Sequence, residues 1–215
     1  LSSGKPENGL QRFGKSLDYS LSCMFHPFRG FHELKYEKQG TVAAATVLLG
    51  LFVLAYVLKA SLTGFVFRTG DDVNPLFEGL KASLPILGFC LVNWCVTTLM
   101  DGEGSLKDIY IAVCYALTPM ILVQIPLIAI SNLITQEEAA LYYAAEVLTS
   151  VYMLFLILAG NLAAHDFTMG KTIAMALLTL VGLTAVVFLL FLFFNLCFEV
   201  AGFISQLYRE IVFRL

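Results

Sequence analysis

The sequence predicts an all-α, polytopic integral membrane protein, with five transmembrane helices and amphipathic interfacial helices at the N- and C-termini. Three observations lead there. Of 215 residues, 59% are hydrophobic and only 13% are charged, against about 45–50% and about 25% in soluble domains. The mean hydropathy is +0.82. The apolar residues also gather into five long runs, each close to the roughly 20 residues a helix needs to cross a bilayer. The net charge of −3 carries no nucleic-acid signature, so no nucleic-acid partner is expected.

Residues 1–15, LSSGKPENGLQRFGK, are polar and glycine-bearing and are expected to form a flexible tail. Residues 16–40 form a segment in which Leu17, Leu21, Met24, Phe25, Phe28, Phe31 and Leu34 are interleaved with Arg29, His32, Glu33, Lys35 and Lys38. That mixture suits a helix lying in the membrane interface, the alternative being a solvated linker with stray aromatics. Pro27 is expected to start a second short helix after a break. The first long apolar run begins only near Thr41, so no signal peptide is expected.

Residues 41–198 hold the transmembrane domain, with spans at about 42–66, 80–100, 109–134, 139–164 and 172–198. Lys59 lies near the end of the first span, where a long side chain can snorkel. The third span follows the turn DGEGSLKD, 101–108, and contains Pro119 and Pro126. Proline in a helix interior removes an N–H and clashes with the carbonyl four residues earlier, here Tyr115 and Leu122. Neighbouring helices can satisfy such carbonyls in a membrane. Tyr115, Pro119, Leu122 and Pro126 are spaced i, i+4, i+7 and i+11, and are therefore expected to share one inward, helix-packing face. Residues 199–215 are expected to form an amphipathic helix that either extends span five or bends onto the interface, with Val200, Phe203, Ile204, Leu207, Ile211, Val212 and Leu215 at helical spacing. Four of the five cysteines (Cys90, Cys95, Cys114 and Cys197) sit inside apolar runs as small hydrophobes, and no disulfide is expected.

Orientation follows from the basic residues. Lys5, Arg12, Lys15, Arg29, Lys35 and Lys38 crowd the N-terminal segment, and Lys107 and Lys171 lie in loops on the same side. The N-terminus is accordingly expected in the cytoplasm and the C-terminus outside.

An ionisable residue within a span is a functional-site candidate by default, which singles out Glu146. Lys59 lies at comparable depth and could pair with it, and Glu199, beside Asn195, is a rival on the same side. Proximity to the interface would keep Glu146 wet without any role. Asn93, Gln124, Asn161 and Asn195 place amides in four spans, most simply for interhelical hydrogen bonds. Asp101, Glu103 and Asp108 cluster without calcium-loop spacing. In HDFTMGKT, 165–172, a phosphate loop would need glycine where His165 stands. His165 and Asp166 are expected to hydrogen-bond each other or cap the next helix. The zinc pattern His-Glu-x-x-His fails after His32-Glu33 because Tyr36 occupies its last position. No catalytic set, metal or cofactor is expected.

The order of features, FHPFRGFHEL (25–34), then DGEGSLKDIYIAVCYALTP (101–119), then a His-x-Phe-x-x-Gly-Lys loop (165–171), resembles the Yip family, membrane proteins named for interacting with Ypt/Rab GTPases, and in particular its bacterial members. The resemblance covers about residues 20–200 and implies five spans, a cytoplasmic N-terminus, and action through binding rather than catalysis. The acidic-aromatic motif that eukaryotic members carry before the first span is not found here, and a bacterial cell membrane is the expected location. Some bacterial relatives resemble proteins encoded beside ABC-type sugar importers, which implies an accessory subunit bound to importer permeases. Three functions are weighed. The first is a non-enzymatic accessory or scaffold protein binding other integral membrane proteins. The second is a small transporter or channel, alone or as an oligomer, with Glu146 in the pathway. The third is a membrane-embedded enzyme acting on lipid through Tyr115, Asn161, His165 and Asp166.

Overall fold

The first span forms because an uninterrupted aliphatic run leaves its backbone no hydrogen-bond partner in lipid except itself. In a computed structural model, which describes residues 9–37, 40–64, 74–100 and 102–214, this run is helix α3, Val42–Leu62. Thr41 caps it by accepting a hydrogen bond from the Ala44 N–H. Before it stand α1 (Gly9–Phe25) and α2 (Pro27–Tyr36), and after it come α4 (Pro75–Leu99), α5 (Leu106–Ala116), α6 (Thr118–Ser131), α7 (Ala139–His165) and α8 (Met169–Arg214). A short 3₁₀ turn at Gln136–Glu138 precedes α7. Among the described residues, five stretches are long and apolar enough to cross a membrane: α3, α4, α5–α6 together, α7 and α8. The chain is thus an all-α, multi-pass membrane protein.

The third span is the centre of the bundle. Its most apolar window is 61% buried, against 6% for the fifth span. Ile109, Ala112, Val113, Cys114, Tyr115, Ala116 and Leu117 are all buried, with α7 on one side and α3 and α4 on others. Ser105 and Asp108 start α5 with a capping box, each side chain meeting the other's backbone N–H.

Several boundaries differ from the sequence expectation. The chain is already helical from Gly9, where a tail was expected through residue 15, while residues 1–8 lie outside the described residues. The last stretch of the expected first span lies beyond the described residues, which stop at Gly64 and resume at Asn74. The third span is two helices rather than one. Leu117 closes α5 and Pro119 stands in the first turn of α6, so Pro119 begins a helix, where its missing N–H costs nothing. The Tyr115 carbonyl accepts a hydrogen bond from the Thr118 hydroxyl at 2.7 Å. Behind that junction α6 packs on α3 and α7, whereas α5 also packs on α4. The buried set therefore runs Tyr115, Thr118, Pro119, Ile121, Gln124 and Leu127, and the expected face fails at Leu122 and Pro126, which are exposed. At the far end the first of the two expected arrangements is seen: residues 199–214 extend the fifth span, and α8 runs unbroken for 46 residues with no proline inside it.

Candidate functional site

α1 and α2 form a helical hairpin tied down at one end of the bundle. A Cβ on Gly30 would stand 2.8 Å from the Cys23 Cα, so only glycine lets the two helices approach this closely. Burial among these groups pushes the Cys23 thiol up to about 12. Tyr19 donates its hydroxyl proton to the Glu33 carboxylate, which also accepts from Arg29 Nε at 2.7 Å. These bonds, Tyr19 first and then Arg29, hold the Glu33 carboxyl below its ordinary value. The apolar side of α2 turns Phe31 and Leu34 into the core.

Several polar connections join this hairpin to the spans, the Tyr152 hydroxyl donating to the Met24 carbonyl among them, and two are built from more than two groups. In the first, the fully buried Tyr115 hydroxyl donates to the Ser16 carbonyl at 2.9 Å and lies 2.6 Å from the Ser16 hydroxyl. Ser16 Oγ in turn accepts from the Thr41 N–H at 3.2 Å. One buried node thus links α1, the start of α3 and the end of α5.

The second connection is at the α7–α8 loop. Asp166 follows the last turn of α7 with φ +53°, in the left-handed region that aspartate enters more readily than most residues. Its carboxylate accepts from Lys35 Nζ at 2.7 Å and from the Tyr36 hydroxyl. Those two bonds, Lys35 first, hold the Asp166 carboxyl below its usual value. For Lys35, burial, which lowers the ammonium, is outweighed by the bond and charge of Asp166, and its value is raised. A carboxylate at a helix C-terminus faces the negative end of the dipole, and Lys35 offsets that. Glu103 lies 4.0 Å from the same ammonium.

Beneath this pair, His165 is buried, and its Nδ1 accepts from the Gly104 N–H at 3.2 Å. The ring proton therefore sits on Nε2, which has no protein partner among the described residues. A Cβ on Gly104 would lie 2.7 Å from His165 Cε1, and one on Gly102 would lie 2.8 Å from Nδ1 and 2.9 Å from the Thr97 carbonyl. The glycines of the α4–α5 turn are the space into which the imidazole fits. Lys171 completes the corner, 4.0 Å over the Phe167 ring and 3.2 Å from the Met100 carbonyl.

The expected His165–Asp166 bond or helix cap is thus replaced by two separate engagements, because the left-handed residue sends the two side chains to different neighbours. Asp101 lies outside the described residues. Lys59 and Glu146 are ion-paired with each other, each side chain about a quarter exposed, at 25% and 23%. Asn195 donates to the Phe191 carbonyl of its own helix, and both it and Glu199 are exposed, so neither joins that pair. Asn93 Nδ2 donates to Thr179 at 3.2 Å, joining α4 to α8. Gln124 and Asn161 are buried. Tyr115, His165 and Asp166 each engage a different partner and do not converge on one reactive point. Sequence reasoning did not select Ser16, Lys35, Tyr36 or Gly104. The two glycines of DGEGS, on either side of Glu103, were the readable signal, but the space they leave for the imidazole needed the fold.

A family model described as the Yip1 domain matches residues 21–193. No curated protein and no solved structure matches the chain.

Proposed function

The chain belongs to the Yip1-domain family, whose members are in general non-enzymatic membrane-trafficking proteins, and from that premise we propose that it is an accessory or scaffold protein which docks another integral membrane protein. The observation that carries this reading is the anchored N-terminal hairpin. Its inward side is fixed by Ser16–Tyr115 and by Lys35–Asp166, while Phe25, Phe28 and Arg29 stand exposed. A preformed aromatic surface, with the Arg29–Glu33 pair beside it, costs little ordering entropy on binding. In this reading the hairpin lies at the cytoplasmic face of a bacterial cell membrane, the C-terminus is outside, and the permease subunits of an ABC-type sugar importer are the first partners to test.

Affinity purification of the tagged chain from native membranes, followed by mass spectrometry, tests this. Stoichiometric recovery of permease subunits supports it, and recovery of this chain alone counts against it. The transporter reading is less well supported, since Lys59 already neutralises Glu146. The enzyme reading is weakened by the separate engagements of Tyr115, His165 and Asp166.

A further inference from the structure

The last turns of α7 bury polar groups that the rest of the chain does not satisfy. Asn161 and His165 stand at i and i+4 and so share one strip of the helix. Their exposures are 4% and 2%. Among the described residues, neither Nδ2 nor Oδ1 of Asn161 has a hydrogen-bond partner, and neither has Nε2 of His165. Thr97 and the imidazole both lie against the position a Gly102 Cβ would take. One turn back along α4 from Thr97, Asn93 Oδ1 is likewise buried and unpartnered. Such groups are costly in a low-dielectric core until something pairs them. A docked protein or a lipid headgroup cannot do so, because these atoms have no exposed surface. Whatever pairs them has to be internal.

Its chemistry follows from the groups themselves. Gly104 donates to Nδ1, so Nε2 carries the ring proton and is a donor only. The Asn161 amide offers an acceptor and donors one turn away. A cation would suit Oδ1 but would face the Nε2 proton. An anion would suit the protons and leave Oδ1 unpaired. Water accepts from the one and donates to the other. Room for water reaches this part of the bundle: a cavity of about 20 Å³ lies against Gly160 and Ala164, the chain neighbours of this pair, with Lys35 and Asp108 also in its lining. One water needs roughly 10–15 Å³.

We propose that ordered water occupies this strip of α7, one molecule accepting from His165 Nε2–H and donating to Asn161 Oδ1. That molecule fixes the tautomer whose Nδ1 receives the Gly104 N–H, and so couples α7 to the α4–α5 turn. Asn161 positions the water.

The test uses the full chain, isotope-labelled, in lipid bilayers. His26→Gln and His32→Gln leave His165 as the one imidazole, and both replaced positions are exposed. Proton-detected solid-state NMR is expected to show a protonated Nε2 with a cross peak to water. Asn161→Leu, close in volume, is expected to weaken that cross peak severalfold. A cross peak unchanged in that variant overturns the bridge. So does an Nε2 proton with no water contact, or one bonded directly to the Asn161 amide, in the chain that keeps Asn161. That spectrum decides the matter even if Asn161→Leu fails to fold.

Discussion

Lys35 and Asp166 stand 131 positions apart in the chain, yet the ammonium and the carboxylate meet at 2.7 Å. The contact fastens the end of α2 to the turn between the last two spans. Because the Asp166 carboxyl is held below its ordinary 3.8, first by Lys35 and then by Tyr36, its contribution is present above the unfolded value and lost as pH falls through the folded one. Lys35, raised in the fold, acts the other way and loses its contribution only at strongly alkaline pH. The latch therefore holds across the neutral range. Amide protection in α2 is expected to drop as pH falls below the ordinary 3.8 of the carboxyl, and Asp166→Asn is expected to lower it at neutral pH by about 1 kcal/mol or less. Protection unchanged in acid would show that the latch carries no weight.

Gly104→Ala is expected to destabilise the protein by about 1–3 kcal/mol, as overpacking does. The added methyl would meet both the His165 ring and the Ala164 carbonyl, at 2.7 Å and 2.9 Å, and the carbonyl is backbone and cannot rotate away. Gly50→Ala, where nothing lies within 4 Å, is the control. It is expected to be neutral or stabilising by up to about 1 kcal/mol. Thermal unfolding in detergent reads both, and equal melting temperatures would contradict the proposed fit of the imidazole.

Tyr115→Phe removes the hydroxyl that reaches Ser16 and leaves buried acceptors without their donor. The expected cost is about 1–3 kcal/mol, and it should appear as faster proteolysis within α1. Ser16→Ala and Tyr115→Phe are expected to be non-additive in a double-mutant cycle. Strict additivity would mean that the node is not a unit.

At the opposite end of the bundle, Glu146→Gln strands the Lys59 ammonium and is expected to destabilise by up to about 3 kcal/mol. Adding Lys59→Met is expected to recover most of that loss, because the pair, rather than the carboxylate alone, is what the fold accommodates. If Glu146→Gln left stability untouched but abolished solute flux in vesicles, the transporter reading would return.

Much of this architecture was legible because lipid enforces it. An aliphatic run such as Val42–Leu62 has one stable backbone form in a bilayer, and Pro27 marked the break between α1 and α2. Lys59 and Glu146 could be considered together because depth along a span is a one-dimensional quantity. The Lys35–Asp166 contact was not legible, since it depends on how α2 folds back over α7 and on a left-handed turn at an aspartate. The same limit applies to Leu122 and Pro126: helical spacing placed them with Tyr115, but the span divides at Leu117 into two helices with different neighbours. Periodicity carries a face only as far as the helix stays regular.

The most direct test of the docking account compares what co-purifies with the native chain and with a Phe25→Ala, Arg29→Ala variant. Phe25 is 71% exposed and the Arg29 side chain is 81% exposed, so the fold is expected to survive and its melting temperature to stay within a degree or two. The account predicts that permease subunits recovered at stoichiometry with the native chain fall severalfold with the variant. Undiminished recovery from a normally folded variant would contradict it and move the docking surface elsewhere on the bundle.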